Sequence, residues 1–163
     1  MYKKLFLLLV FVAAGLYLGY LFVTPGWEEA YPPKIEEAET TPVILYFMTV
    51  EDGQEELAPI EREITVDNGK EKSALQSLLT GPTSEEKEEG ITTSIPTETQ
   101  LLSFELVEGT ATADFTEQLD PGGGSAWVTA IRNQITHTLE QFETVERTVI
   151  KIESSTEEDI LQP

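Results

Sequence analysis

The sequence predicts an α+β fold: a two-layer sandwich in which a mixed β-sheet carries two helices on one face, preceded by one N-terminal transmembrane helix. Three features predict it. They are an uncharged run from Leu5 to Val23, five segments with strand patterning, and two amphipathic segments with helical spacing.

Leu5 to Val23 reads LFLLLVFVAAGLYLGYLFV. As a helix rising about 1.5 Å per residue it reaches across most of the hydrocarbon layer, and no face of it is polar, as a core helix of a soluble domain would require. Lys3 and Lys4 precede the run, and Glu28 and Glu29 are the first charges after it. The positive-inside bias therefore places the N-terminus in the cytoplasm and the rest outside. The run exceeds the apolar stretch of a cleaved signal peptide, and no A-x-A site follows, so a retained anchor spanning residues 1–23 is expected.

Residues 24–42 (TPGWEEAYPPKIEEAETTP) are rich in Pro and Glu and read as an extended stalk. The folded domain is expected over 43–163. Val43–Val50 (VILYFMTV) is apolar on both alternating faces, as a central strand should be. Glu51–Glu56 reads as a polar loop. Ile60–Val66 puts Ile60, Ile64 and Val66 on one strand face, with Arg62 breaking the pattern.

Lys70–Thr80 has Ala74, Leu75, Leu78 and Leu79 at helical spacing, and Gly81-Pro82 supplies the stop. Thr83–Thr99 is a long polar connection with a helical turn around Ser84–Glu89. Leu101–Val107 and Thr110–Phe115 alternate across Glu108-Gly109 as a hairpin. Asp120–Ser125 (DPGGGS) is a loop in which Ser125 is the expected N-cap of the next helix. In that helix, Ala126–Phe142, Val128, Ile131, Ile135, Leu139 and Phe142 form one apolar stripe. Val145–Glu153 closes the sheet, and Ser154–Pro163 reads as an exposed tail.

All 30 acidic residues and eight of the ten basic ones lie beyond Val23, so that part of the chain carries −22. Such a surface repels a phosphate backbone, which excludes nucleic acid as a partner. Ordinary solvation explains the acidity; a basic partner or calcium is the functional counterpart. The chain has no cysteine, which removes disulfides, thiolate chemistry and a lipid-carrying N-terminal Cys.

Several blocks occur together: ALQSLLTGPTSEE (Ala74–Glu86), GITTSIP (Gly90–Pro96), LLSFELVEGTATADFT, GGGS, TLEQF (Thr138–Phe142) and a terminal ILQP. In this combination and order the chain, from Val43 to about Pro163, resembles the sporulation and spore germination (GerMN) domain. The resemblance implies a small α/β domain like the ring-building motifs of secretion and sporulation channels, acting outside the cytoplasmic membrane and without known catalytic residues. It places family-motif positions, of structural or interaction role, at Leu78, Leu79, Gly81, Pro82, Thr83, Gly90, Pro96, Gly109, Asp114, Ser125, Thr138, Leu139 and Phe142. The chain departs from the pattern in having a transmembrane anchor where a lipid-modified Cys is usual, and one domain copy where the founding germination protein has two. Spore formation by the host does not follow.

Other candidates have simpler explanations. Gly122, Gly123 and Gly124 before a helix could cradle an anion, but the P-loop Lys and Ser/Thr are missing, and a hinge suffices. Ser125 does not sit in G-x-S-x-G, and His137 is the single histidine. Glu51, Asp52, Asp67 and the Thr83–Glu89 cluster lack EF-hand spacing. Trp127 lies off the centre of the helical stripe, either covering a loop or facing a partner. No catalytic, metal or cofactor site is therefore expected.

The leading expectation is a non-catalytic interaction or scaffolding domain of the cell envelope, binding an envelope protein or self-associating. The alternative is binding of peptidoglycan glycan or a small ligand at the Thr83–Thr99 and GGGS loops. A hydrolase using Ser125 and His137 stands third.

Overall fold

The computed structural model describes residue 3 and residues 12–20, 40–120, 122 and 124–156. The chain divides into two units, Met1–Glu37 and Ala38–Pro163. In the first, residues 12–20 are helical and exposed throughout. Among the described residues no helix is long and apolar enough to cross a membrane. The rest of the predicted span Leu5–Val23, and stalk residues 24–39, lie outside the described residues.

The second unit opens with strand β1, Thr40–Glu51, which pairs antiparallel along its whole length with β2, Gln54–Thr65. Alternation along β1 turns Val43, Leu45 and Phe47 inward, the last two fully buried. Two expectations are corrected here. Thr40–Pro42 belong to the strand and not to the stalk. Glu51–Glu56 is not a loop: Asp52 and Gly53, at φ 50° and 80°, form a two-residue hairpin turn, and β2 starts directly after it. Asp-Gly is the dipeptide such a turn favours, because both central residues need positive φ.

Helix α1, Lys70–Leu79, buries Ala74, Leu75 and Leu78 and stops at Gly81, φ 77°, with Pro82 buried behind it. A short helix α2, Ser84–Glu88, follows within the predicted polar connection. Strands β3, Leu101–Val107, and β4, Thr110–Phe115, form the expected hairpin across Glu108-Gly109. Helix α3, Ser125–Glu140, then crosses over to β5, Arg147–Ile152, which runs parallel to β4. The predicted tail is partly strand: Ser155–Thr156, β6, pairs with β5, and residues 157–163 lie outside the described residues.

The fold is α+β, but the single mixed sheet is corrected to two: β1-β2, and β3-β4-β5-β6. The physical reason is that, among the described residues, no strand takes the second edge of β1. Side chains of α3 and an isolated bridge between Met48 and Thr92 occupy it instead. Helices α1 and α3 pack on each other and on β1, and α3 also reaches β5. One apolar core runs through both sheets, with Phe47, Leu75, Phe115, Ile131, Leu139 and Ile150 at its centre. Each such side chain stabilises by roughly 1.5–3 kcal/mol through burial.

Candidate functional site

The polar groups of the folded unit gather in three places. The first is the corner after α1. The Arg62 guanidinium pairs with the Glu86 carboxylate, donates to the Gly81 carbonyl at 3.1 Å, and lies 5.1 Å over the Phe47 ring. Glu86 also accepts from the Thr83 backbone N–H at 2.7 Å, while the Thr83 hydroxyl accepts from Glu86 N–H, a capping box at the start of α2. Burial alone would raise the Glu86 pKa. The Arg62 hydrogen bond, the Thr83 N–H and the Arg62 charge together outweigh it and hold the carboxyl below its ordinary 4.5.

The second place is a row at positions 134 and 138 of α3 and at its C-cap, Gln141, spaced to share one helix face. Gln141 Oε1 accepts from Ile44 N–H at 2.8 Å and its Nε2 donates to Ile44 C=O at 2.6 Å. Thr138 Oγ1 accepts from Tyr46 N–H at 3.1 Å. Gln134, fully buried, donates to Tyr46 C=O and Thr93 Oγ1 and accepts from Ser94 N–H at 2.9 Å. This row gives the β1 edge the partners a neighbouring strand would give.

The third place is the far end of the larger sheet, where buried Asp114 accepts two hydrogen bonds from Ser154 N–H and a third from its hydroxyl. At the other end of β4, Gly109 has φ 75° and its carbonyl accepts from Glu146 and Arg147.

The motif positions are thereby placed, and they are not brought together into one cleft. Leu78, Leu139 and Phe142 are core, with Leu79 packed beside them. Gly81, Gly90 and Gly109 have positive φ at turns. Pro82 is buried, Pro96 half-buried, Thr83 caps α2, and Thr138 and Asp114 tie backbone.

Ser125 is corrected: Gly124 is the N-cap, and Ser125 is the first helical residue, with no side-chain cap bond. The exposed His137 ring sits 5.3 Å from the Tyr46 ring. Ser125 and His137 lie twelve residues apart on one straight element, about 18 Å, too far for a nucleophile–base pair.

Gly122 N–H donates to Asp120 Oδ1 at 3.0 Å. Among the described residues no cluster of acidic and histidine side chains could hold a metal ion. Asp52 and Asp67 stand at opposite ends of the β1–β2 hairpin.

Trp127 is 41% exposed and its Nε1–H donates to Ser94 C=O at 2.5 Å, so it is pinned beside the loop and open on one side. Next along that loop is a shallow depression of about 300 Å³ lined by Pro96, Thr97, Glu98 and Gln118.

Sequence reasoning missed the Gln134–Thr138–Gln141 row and the role of Arg62. Their signals were present: polar residues at i, i+4 and i+7 beside an apolar stripe, and one cation on the buried face of a strand.

The fold and these placements define a small single-core α+β module whose motif residues build turns, caps and core. It belongs to the Germane family, sporulation and spore germination, whose model matches residues 44–158. Among solved structures it is similar to the tandem GerMN domains of the sporulation protein GerM from Bacillus subtilis, with TM-score 0.60 and 19% identity over 71% of this chain. The chain spans 40% of the length of that structure. It is also similar to the first GerMN domain of the same protein, with TM-score 0.53 and 21% identity over 72% of this chain and 86% of that one. At these identities the likeness establishes the fold. No curated relative matches by sequence.

Proposed function

We propose that the chain is a membrane-anchored interaction domain of the bacterial cell envelope, non-catalytic, with its N-terminus in the cytoplasm and its folded unit outside. The observation that carries the interaction reading is where the chemistry lies. The buried side chains of Gln134 and Asp114 are engaged in holding elements together, while apolar side chains at Leu102, Val107 and Trp127 remain open to solvent. Anchoring and orientation are supported by the uncharged run Leu5–Val23 behind Lys3 and Lys4, whose described stretch, residues 12–20, is helical and exposed.

Proximity crosslinking of the full chain in native membranes tests this reading. Recovery of one envelope protein, or of a ladder of the chain itself, is expected; a chain recovered only as monomer overturns it. Because the chain has no cysteine, a single Cys in place of exposed Glu117 reports orientation. An impermeant thiol reagent added from outside should label it.

A second reading, binding of peptidoglycan glycan, is favoured by the pinned, half-open Trp127 ring beside the Pro96–Gln118 depression, since an exposed ring face with nearby carboxamide and carboxylate groups suits a sugar. Retention on isolated peptidoglycan that Trp127→Ala abolishes would support it, and absence of retention would sink it.

A further inference from the structure

The described strands present four sheet edges, and three are covered or blunted against another strand. The α3 side chains and Thr92 cover β1. The edge of β2 carries Pro59 and the exposed carboxylates of Glu55, Glu56, Glu61 and Glu63. On the last edge, the two-residue β6 covers β5 at Lys151 and Ile152, Ile150 is also engaged, and Arg147 and Lys151 add charge along β5. Proline, charge and brevity are the recognised ways of blunting an edge. The fourth edge, β3, reads LLSFELV, with no proline, one charge at Glu105, and Leu102 and Val107 53% and 61% exposed. A bulge between Leu101 and Ser103 interrupts it at one end, and pairing is regular from Ser103 to Val107.

The direction of its free hydrogen bonds follows from the turn. Glu108 and Gly109 form a two-residue turn with both φ positive, so Val107 and Thr110 exchange hydrogen bonds with each other. Ser103, Glu105 and Val107 therefore point their backbone groups at β4, and Phe104 and Leu106 point theirs outward. The other side of β4 agrees. Phe115 C=O accepts from Glu153, and Gly109 C=O from Arg147, which leaves Thr110, Thr112 and Asp114 for β3.

A strand added here pairs with Phe104 and Leu106 and sets one of its residues opposite Glu105. A second copy of β3 in that register would set Glu105 against its own counterpart, and like charges directly opposite are destabilising. On a chain of net charge −20, a cation at that position is the complement.

We infer that the outer edge of β3 is a docking site for an extended segment of a partner protein, which adds as a strand and places a Lys or Arg opposite Glu105. This rests on the interaction-domain reading and names its surface. Leu102 and Val107 flank the site as apolar contacts, and main-chain bonding supplies the rest.

The chain itself provides a probe of known sequence. In a Glu105→Lys variant, β3 is the strand that the edge should accept, and Glu105 is exposed, so the fold is undisturbed. Wild type mixed with Glu105→Lys should form a 1:1 heterodimer by sedimentation, bound at least about tenfold tighter than either chain with itself and weakened by salt.

In the same register Ser103 of one chain faces Val107 of the other. Ser103→Cys in wild type and Val107→Cys in the Glu105→Lys chain should therefore form a disulfide on mixing. A mixture that sediments as its components, or a heterodimer that forms without that disulfide, overturns the assignment to β3. In native membranes, a partner crosslinked to wild type and lost from Glu105→Lys supports the edge. Its retention overturns the edge and leaves the interaction reading standing. If neither chain captures a partner, the interaction reading fails, and the mixing experiment decides the edge alone.

Discussion

Gln141, just past the end of α3, grips Ile44 of β1 by both backbone groups: its carbonyl takes the N–H at 2.8 Å and its amide gives to the C=O at 2.6 Å. A primary amide carries donor and acceptor side by side, as a neighbouring strand residue does, so one side chain stands in for a strand. Together with Thr138 and Gln134 it ends the smaller sheet at two strands.

Gln141→Ala should therefore expose the β1 edge. Stability should fall by about 1–2 kcal/mol in denaturant titration, the scale of lost hydrogen bonds at a partly exposed site. Amide exchange at Ile44 should accelerate more than at Leu75. Unchanged exchange at Ile44 would show that the grip contributes nothing.

Gln134 should matter more. It is fully buried and serves β1 and the 93–94 loop at once. Gln134→Leu keeps the bulk but leaves Ser94 N–H and Tyr46 C=O without that partner, at a cost of about 2–4 kcal/mol. A loss below that of Gln141→Ala would contradict the ranking.

The Arg62–Glu86 pair predicts a pH dependence. The folded-state pKa of Glu86 lies below its ordinary 4.5. The pair's contribution is thus fully present above 4.5 and is lost as pH falls through the folded value. Denaturation midpoints of wild type should drop more steeply below pH 4.5 than those of Glu86→Gln, and the two curves should converge in acid. Parallel curves would mean the pair contributes nothing to stability.

Gly109 combines φ 75° with a crowded neighbour: a Cβ there would meet Glu146 Cγ at 2.9 Å. Gly109→Ala should cost about 1–2 kcal/mol from the left-handed backbone, with a further increment if Glu146 cannot move aside. Gly122→Ala shares the positive φ without the contact and should cost less. Equal losses would remove the crowding from the account.

Ser125→Ala separates two roles for that serine. An N-cap serine loses about 1 kcal/mol on truncation, whereas an exposed first-turn residue without a cap bond should change stability by less than about 0.5 kcal/mol. The smaller value is expected, as read from thermal or denaturant unfolding.

Much of the second unit was determined by the sequence itself. The β3–β4 hairpin, α1, α3 and β5 follow from local periodicity and from Gly109 and Gly81, because strand alternation, helical spacing and the need for positive φ are properties of a few neighbouring residues. The β1–β2 turn at Asp52-Gly53 was equally local, and was passed over because the carboxylates of Glu51, Glu55 and Glu56 resemble a loop. Only the tertiary structure decided that the strands divide into two sheets. That outcome depends on Gln134, Thr138 and Gln141 meeting backbone 88 to 97 residues away in sequence. Contacts between distant segments leave no periodic mark, so a glutamine on a helix reads as surface until the strand it serves is brought beside it.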